Sequence, residues 1–170
     1  MKLISFSANE ILPGLLNKSK DQTIRPLFDV QKAKVKGSVI KEKELRFSKG
    51  EPVRIFWKQR TRFKHFCKGC GAGIHGSPHL IKNLHYECGD EFFDKIMGGG
   101  TITEAFKVYM SKDRIRYVNG VCMSPTELVE LARRDSFKSP DRMFNWFNRQ
   151  YNLSSTWLPF GVYRWSWEWD

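Results

Sequence analysis

The end of the chain constrains the fold more than any other segment. Phe160-Gly161-Val162-Tyr163-Arg164-Trp165-Ser166-Trp167-Glu168-Trp169 alternates at period two, a pattern that reads as an extended strand with two distinct faces. Trp165, Trp167 and Trp169 fall on one face, opposite Ser166, Glu168 and Asp170. So large an aromatic stripe needs a core to cover it, so a sheet must pack against something. We read the stripe as core rather than as an exposed stacking platform.

Local signals supply the other elements. Leu3, Ile4 and Phe6 give the first eight residues strand character. Ile11, Leu12, Leu15 and Leu16 follow at helical spacing, predicting a short helix over 8–17 with Pro13 in its first turns. Val53-Arg54-Ile55-Phe56-Trp57 is a strand by its β-branched and aromatic content. Phe92, Phe93, Ile96 and Met97 predict one or two helical turns before Gly98-Gly99-Gly100, which reads as flexible punctuation. A strand is expected over 101–110 and a hairpin over 114–123, turning at Asn119-Gly120 in type I′ geometry. Ser124-Pro125-Thr126-Glu127 is a capping box, and Ser139-Pro140 opens a second helix whose Phe144, Trp146 and Phe147 are assigned to packing. A chain of 170 residues that is 41% hydrophobic can bury one core without disulfides. The expectation is a single α+β domain over 1–170, a sheet or barrel with flanking helices and an insertion near its middle.

That insertion, residues 66–89, carries three of the four cysteines. Cys67-x2-Cys70 presents two thiols on one turn, and His85-x2-Cys88 repeats the spacing with an imidazole. The set matches tetrahedral structural zinc in the Cys3His mode, with His75 or His79 as alternatives to His85. Four protein ligands leave no position open for substrate, so the ion would brace an insertion too small for its own core. A disulfide among these cysteines is the competing reading, disfavoured in a reducing compartment. Cys122, alone in an apolar stretch, is expected to be a small buried hydrophobe.

The net charge is +11, and residues 31–65 hold twelve Lys or Arg against three acids. Positive charge concentrated in this way points to a polyanion, with nucleic acid ahead of a membrane surface because the segment has no apolar face. Residues 31–52 read as a basic loop or mobile arm. In Phe56-Trp57-Lys58-Gln59-Arg60-Thr61-Arg62-Phe63-Lys64 cations and aromatics interleave, so Lys58, Arg60, Arg62 and Lys64 could hold phosphates while Trp57 or Phe63 stacks on a base. Trp57 facing inward on its strand is the equal alternative. The opening Met1-Lys2-Leu3-Ile4-Ser5-Phe6-Ser7 turns polar too soon for a secretory leader, and a cytoplasmic chain is expected.

Lys20, Thr23 and Arg25 place two cations and a hydroxyl on one short turn before Pro26, a set suited to gripping a phosphate or a carbonyl. The run Ile11-Leu12-Pro13-Gly14-Leu15-Leu16-Asn17-Lys18-Ser19-Lys20-Asp21-Gln22-Thr23-Ile24-Arg25 resembles the opening of ASCH domains, members of the PUA-like superfamily, where a helix leads into G-x-K-x-x-T-x-R. Leu131-Ala132-Arg133-Arg134-Asp135-Ser136-Phe137 is similar to the family's second motif, Ala-x-x-acid followed by an aromatic. Lys18 stands at the family's glycine, and Asp135 where its amidohydrolase members have Glu.

The resemblance implies a PUA-like β-barrel and a cleft that binds RNA or a modified nucleotide around Lys18, Lys20, Thr23, Arg25 and Asp135. It also implies an alternative, hydrolysis of an acyl group from a modified cytidine, with Lys20 as base, Thr23 as nucleophile and Asp135 as acid. That chemistry needs a neutral Lys20 and a protonated Asp135. A zinc-stabilised protein-interaction adaptor is a third reading.

Overall fold

A computed structural model describes residues 1–58, 60–74, 91–153 and 156–169, the side chains of Asn9 and Trp169 excepted. The protein is mixed α+β. Eight strands are seen among these residues: β1 (Lys2–Phe6), β2 (Gln22–Pro26), β3 (Pro52–Trp57), β4 (His65–Cys67), β5 (Phe92–Asp94), β6 (Ile96–Met110), β7 (Ile115–Tyr117) and β8 (Leu158–Trp169). The helices are α1 (Leu12–Leu16), α2 (Val30–Ala33), α3 (Pro125–Arg134) and α4 (Pro140–Tyr151), with a 3-10 turn at Asn9–Ile11 before α1.

The main sheet runs β1-β3-β6-β8-β2, with β7 also on β6; β1 and β3 are parallel and the other pairs antiparallel. As expected, the terminal segment is a strand, but it begins at Leu158 and is buried on both faces through Tyr163. The cause is its position: β8 lies between β6 and β2, and each of its faces meets a separate core. Phe160 and Val162 pack with Ile24, Val108, Met110 and the inner faces of α3 and α4. Tyr163 and Trp165 pack with Ile4, Phe6, Val53, Ile55 and Trp57. Trp165 is thus core, as expected, while Trp167 is half-buried. A register shift between Ile102 and Glu104 turns β6 over, so Ile102 serves the second core and Val108 the first.

Both helix starts form as predicted. Ser124 accepts from the Glu127 N–H while Glu127 accepts from the Ser124 N–H, and Ser139 accepts from the Arg142 N–H.

Three local expectations are corrected. Residues 92–97 are extended, because Phe92 and Phe93 pair with Cys67 and Phe66, and Ile96 pairs with Phe56; an apolar run this short has no decisive period. Gly98-Gly99-Gly100 lies buried inside β6 and is no flexible joint. The 117–121 turn is not type I′, since only Gly120 has positive φ (+87°) and the Tyr117 N–H donates to the Val121 carbonyl, a three-residue loop. That loop puts Met123 in the core and leaves Cys122 exposed rather than buried.

The basic segment is a loop, but a packed one. Asp29 caps α2, the Lys43 N–H donates to the Leu27 carbonyl (2.7 Å), and Phe47 is buried edge-on against Tyr163 (centroids 4.9 Å). The Arg46 N–H also donates to the Tyr163 hydroxyl (2.9 Å).

Hydrogen bonding leaves β1 and β2 as the outer strands of the sheet, and no closed barrel forms among the described residues. The sheet nevertheless curls until these edges face each other. From β2, Arg25 Nη2 donates to the Ser5 carbonyl on β1 (2.6 Å) with its guanidinium over Phe6 (5.1 Å).

Candidate functional site

The site sits where those two edges approach. The main chain of Lys20 is fixed on two sides: its N–H donates to the Gly14 carbonyl (2.8 Å), and its carbonyl accepts from Trp167 Nε1 (3.0 Å). Thr23 and Arg25 then follow on a strand rather than on the single turn expected, and strand alternation puts both on one face. Asp135 comes from the other side as the C-cap of α3, and Ser136 takes the left-handed conformation (φ 68°) that ends the helix. Glycine at position 14 makes the approach feasible, because a Cβ there would stand 2.5 Å from Ser136 Oγ and 3.2 Å from Lys20 Cβ.

Lys20 and Asp135, 115 residues apart, form a buried ion pair through Nζ and Oδ1. The Lys20 ammonium also lies over the Phe6 ring (5.3 Å), and the Ile24 N–H donates to the Asp135 carboxylate. Burial dominates the electrostatics of both groups. It pushes the Lys20 pKa down and the Asp135 pKa up, against their mutual attraction, and Arg25 pushes Lys20 further down. Both shifts favour the neutral amine and the protonated acid.

Above this pair opens a cleft of about 470 Å³. Lys20, Thr23, Arg25 and Asp135 line it together, the grouping that the resemblance implies. The remaining predicted contacts lie elsewhere. Lys18 does not line the cleft; its ammonium sits over Trp167 (5.1 Å), and its backbone holds φ 58°, a conformation that glycine takes freely. Lys58, Arg60, Arg62 and Lys64 are likewise not in the cleft. Trp57 is fully buried, with Nε1 donating to the Gly71 carbonyl (2.9 Å), so it cannot stack on a base. Lys58 donates to the same carbonyl (2.9 Å).

No protein-family model, curated protein or solved structure matches this chain.

The structure adds wall residues that the sequence reading missed: Phe6, Lys138, Arg142, Trp146 and Arg149. Trp146, expected to be packing, is half-buried and borders the cleft. The signal was legible in principle, because 142, 146 and 149 share one face of a helix whose start the sequence marks.

Of the zinc set, Cys67 ends β4 and Cys70 sits on the turn beyond it. The Gly71 N–H donates to the Cys67 carbonyl (2.8 Å) and the Cys67 N–H to the Ala72 carbonyl (3.0 Å). Trp57 and Lys58 anchor the turn through Gly71. His75, His79, His85 and Cys88 lie outside the described residues.

Proposed function

We propose that this chain is a PUA-like domain of the ASCH kind that binds RNA, or a modified nucleotide within it, in the cleft around Lys20, Thr23, Arg25 and Asp135. The observation that carries the reading is the contact between Lys20 and Asp135, which joins the two segments whose motifs resemble that family. The curled sheet with Arg25 across its open seam supports a PUA-like barrel completed by a side chain instead of a backbone ladder. The cleft walls suit the ligand, with cations for phosphate and aromatic rings for a base.

A second reading is favoured by one specific feature. The cleft floor holds a hydroxyl, an amine driven toward neutrality and a carboxyl driven toward protonation, the states required for Thr23 to attack an amide carbonyl with Lys20 as base and Asp135 as acid. The Thr23 oxygen would bond to the carbonyl carbon as its proton passes to Lys20. The amine of the cytosine would then leave with a proton from Asp135, and water would release the acyl group. Thr23→Ala separates the two readings. With an oligonucleotide carrying 4-acetylcytidine, the variant is expected to retain affinity within about threefold under either reading, since one hydroxyl contributes a net of about 1 kcal/mol or less. Turnover present in the wild type and absent in the variant identifies the enzyme; no turnover in the wild type with tight, salt-sensitive binding identifies the reader.

We also propose that Cys67, Cys70, His85 and Cys88 hold one structural zinc ion. Metal analysis of the purified protein is expected to find one zinc per chain. The paired substitutions Cys67→Ser and Cys88→Ser are expected to abolish it and to lower the melting temperature. A wild-type protein free of zinc after expression in zinc-supplemented medium rejects the site.

A further inference from the structure

The outer wall of the cleft has an order that the floor chemistry does not use. On α4, Arg142, Trp146 and Arg149 stand at i, i+4 and i+7, within one narrow stripe of the helix surface, and all three border the cleft. Both arginines are exposed, and neither is paired with an acid among the described residues. This sets them apart from Arg133, Arg134 and Arg164, each of which is held by Glu130 or Glu104. Between them Trp146 is half-buried and backed by Phe147 (5.0 Å, edge-on) and Phe137 (5.9 Å), so its position is braced from two sides. Lys138, also exposed and also bordering the cleft, adds a further cation to its lining.

A cation, an aromatic ring and a second cation in line match one repeat of a single nucleic acid strand: phosphate, base, phosphate. The arginines are separated by about 10 Å along the helix axis, a span that two long side chains can narrow onto the phosphates flanking one nucleotide. A free nucleoside would leave both guanidiniums without a partner. A duplex would keep its bases stacked on each other and away from Trp146. An acidic peptide could satisfy the cations but offers the ring no planar group.

Resting on the reading of the cleft as a nucleic-acid site, we infer that it takes an internal, unpaired nucleotide of a single strand, the base on Trp146 and its two flanking phosphates on Arg142 and Arg149.

The test uses the full chain and four probes. These are a labelled five-nucleotide RNA with 4-acetylcytidine at its centre, the same RNA annealed to its complement, free 4-acetylcytidine, and a pentaglutamate peptide. The single strand is expected to bind at least tenfold more tightly than each of the others. In the double variant Arg142→Gln/Arg149→Gln its affinity is expected to fall at least tenfold at about 100 mM salt, and the slope of log K against log salt to flatten by about 1.4, at about 0.7 per lost phosphate contact. Nucleoside affinity should not change. The charge-matched pair Lys112→Gln/Arg114→Gln, outside the cleft, is expected to shift RNA affinity less than about threefold. Both arginines of the test variant are exposed, and its melting curve checks that it folds. An unchanged slope in Arg142→Gln/Arg149→Gln, or a nucleoside, duplex or peptide that binds as well as the strand, overturns the inference while leaving the cleft reading in place. A wild-type protein that binds neither RNA nor nucleoside overturns both.

Discussion

Lys20→Met is expected to destabilise the protein by about 3–5 kcal/mol, because it leaves the Asp135 carboxyl buried without its partner. Asp135→Leu should cost a similar amount for the mirror reason, and the double variant Lys20→Met/Asp135→Leu should recover most of either loss, since a buried pair replaced by apolar groups of similar volume is often neutral or better. The pH dependence gives the sharper signature. In the wild type the attraction between the two groups opposes burial in both, so the shifts and the pH slopes they produce are smaller than in a variant that lacks one partner.

Each single variant breaks that balance. With Lys20 gone, burial still raises the Asp135 pKa, so above pH 3.8 the folded state holds a proton that the unfolded state has lost. Stability then falls as pH rises from about 4 toward the raised value. With Asp135 gone, burial still lowers the Lys20 pKa, and below pH 10.5 the unfolded state binds the extra proton. Stability of that variant should therefore rise with pH up to about 10. Denaturant titrations of the two variants across pH 5–9 are expected to slope in opposite directions; parallel curves would mean that the pair is not buried as described.

The second large effect is expected at Gly100. Its neighbour across the sheet is backbone: a Cβ at this position would stand 1.7 Å from the Ser166 carbonyl oxygen. The register slips here, Gly99 facing Trp169 and Gly100 facing Trp167. The other edge of β8 is tied down beside this point, since the Trp165 N–H donates to the Asp21 carbonyl (2.9 Å) and Trp167 Nε1 to the Lys20 carbonyl (3.0 Å), so β8 has little room to retreat. Gly100→Ala should therefore cost about 3 kcal/mol or more, at the upper end for overpacking. For a chain of this size that lowers the melting temperature by about 6–12 °C. Gly120→Ala is the natural comparison. Its φ of +87° carries strain, yet nothing lies within 4 Å, so the loss should stay near 1 kcal/mol. Equal melting temperatures for the two variants would contradict the close approach at Gly100.

The fold was legible wherever a short stretch of chain decides its own conformation. The capping box at Ser124, the Ser139-Pro140 helix start and the alternation that ends in Trp169 each encode an element locally, and each formed where expected. The reading failed where the partner decided. Phe92 and Phe93 look equally apolar in a helix or a strand until Phe66 and Cys67 pair with them. The triple glycine looks flexible until it packs under the Ser166 carbonyl. Trp57 reads equally as a stacking residue or as an inward position of β3 until the core closes over it.

The candidate site divides along the same line. Lys20, Thr23, Arg25 and Asp135 stand out by residue type and spacing, so the sequence alone determined which groups deserved chemical roles. It could not determine that they share one cleft, that burial sets the protonation of the amine and the acid, or that Arg142, Trp146 and Arg149 make up its outer wall. Those facts arise from contacts between residues distant in sequence, 20 positions apart for Arg25 and Ser5 and 115 for Lys20 and Asp135, created when the curling sheet brings β2 to β1 and the end of α3 to Lys20. Local chemistry is written along the chain; desolvation and proximity exist only once the chain has folded.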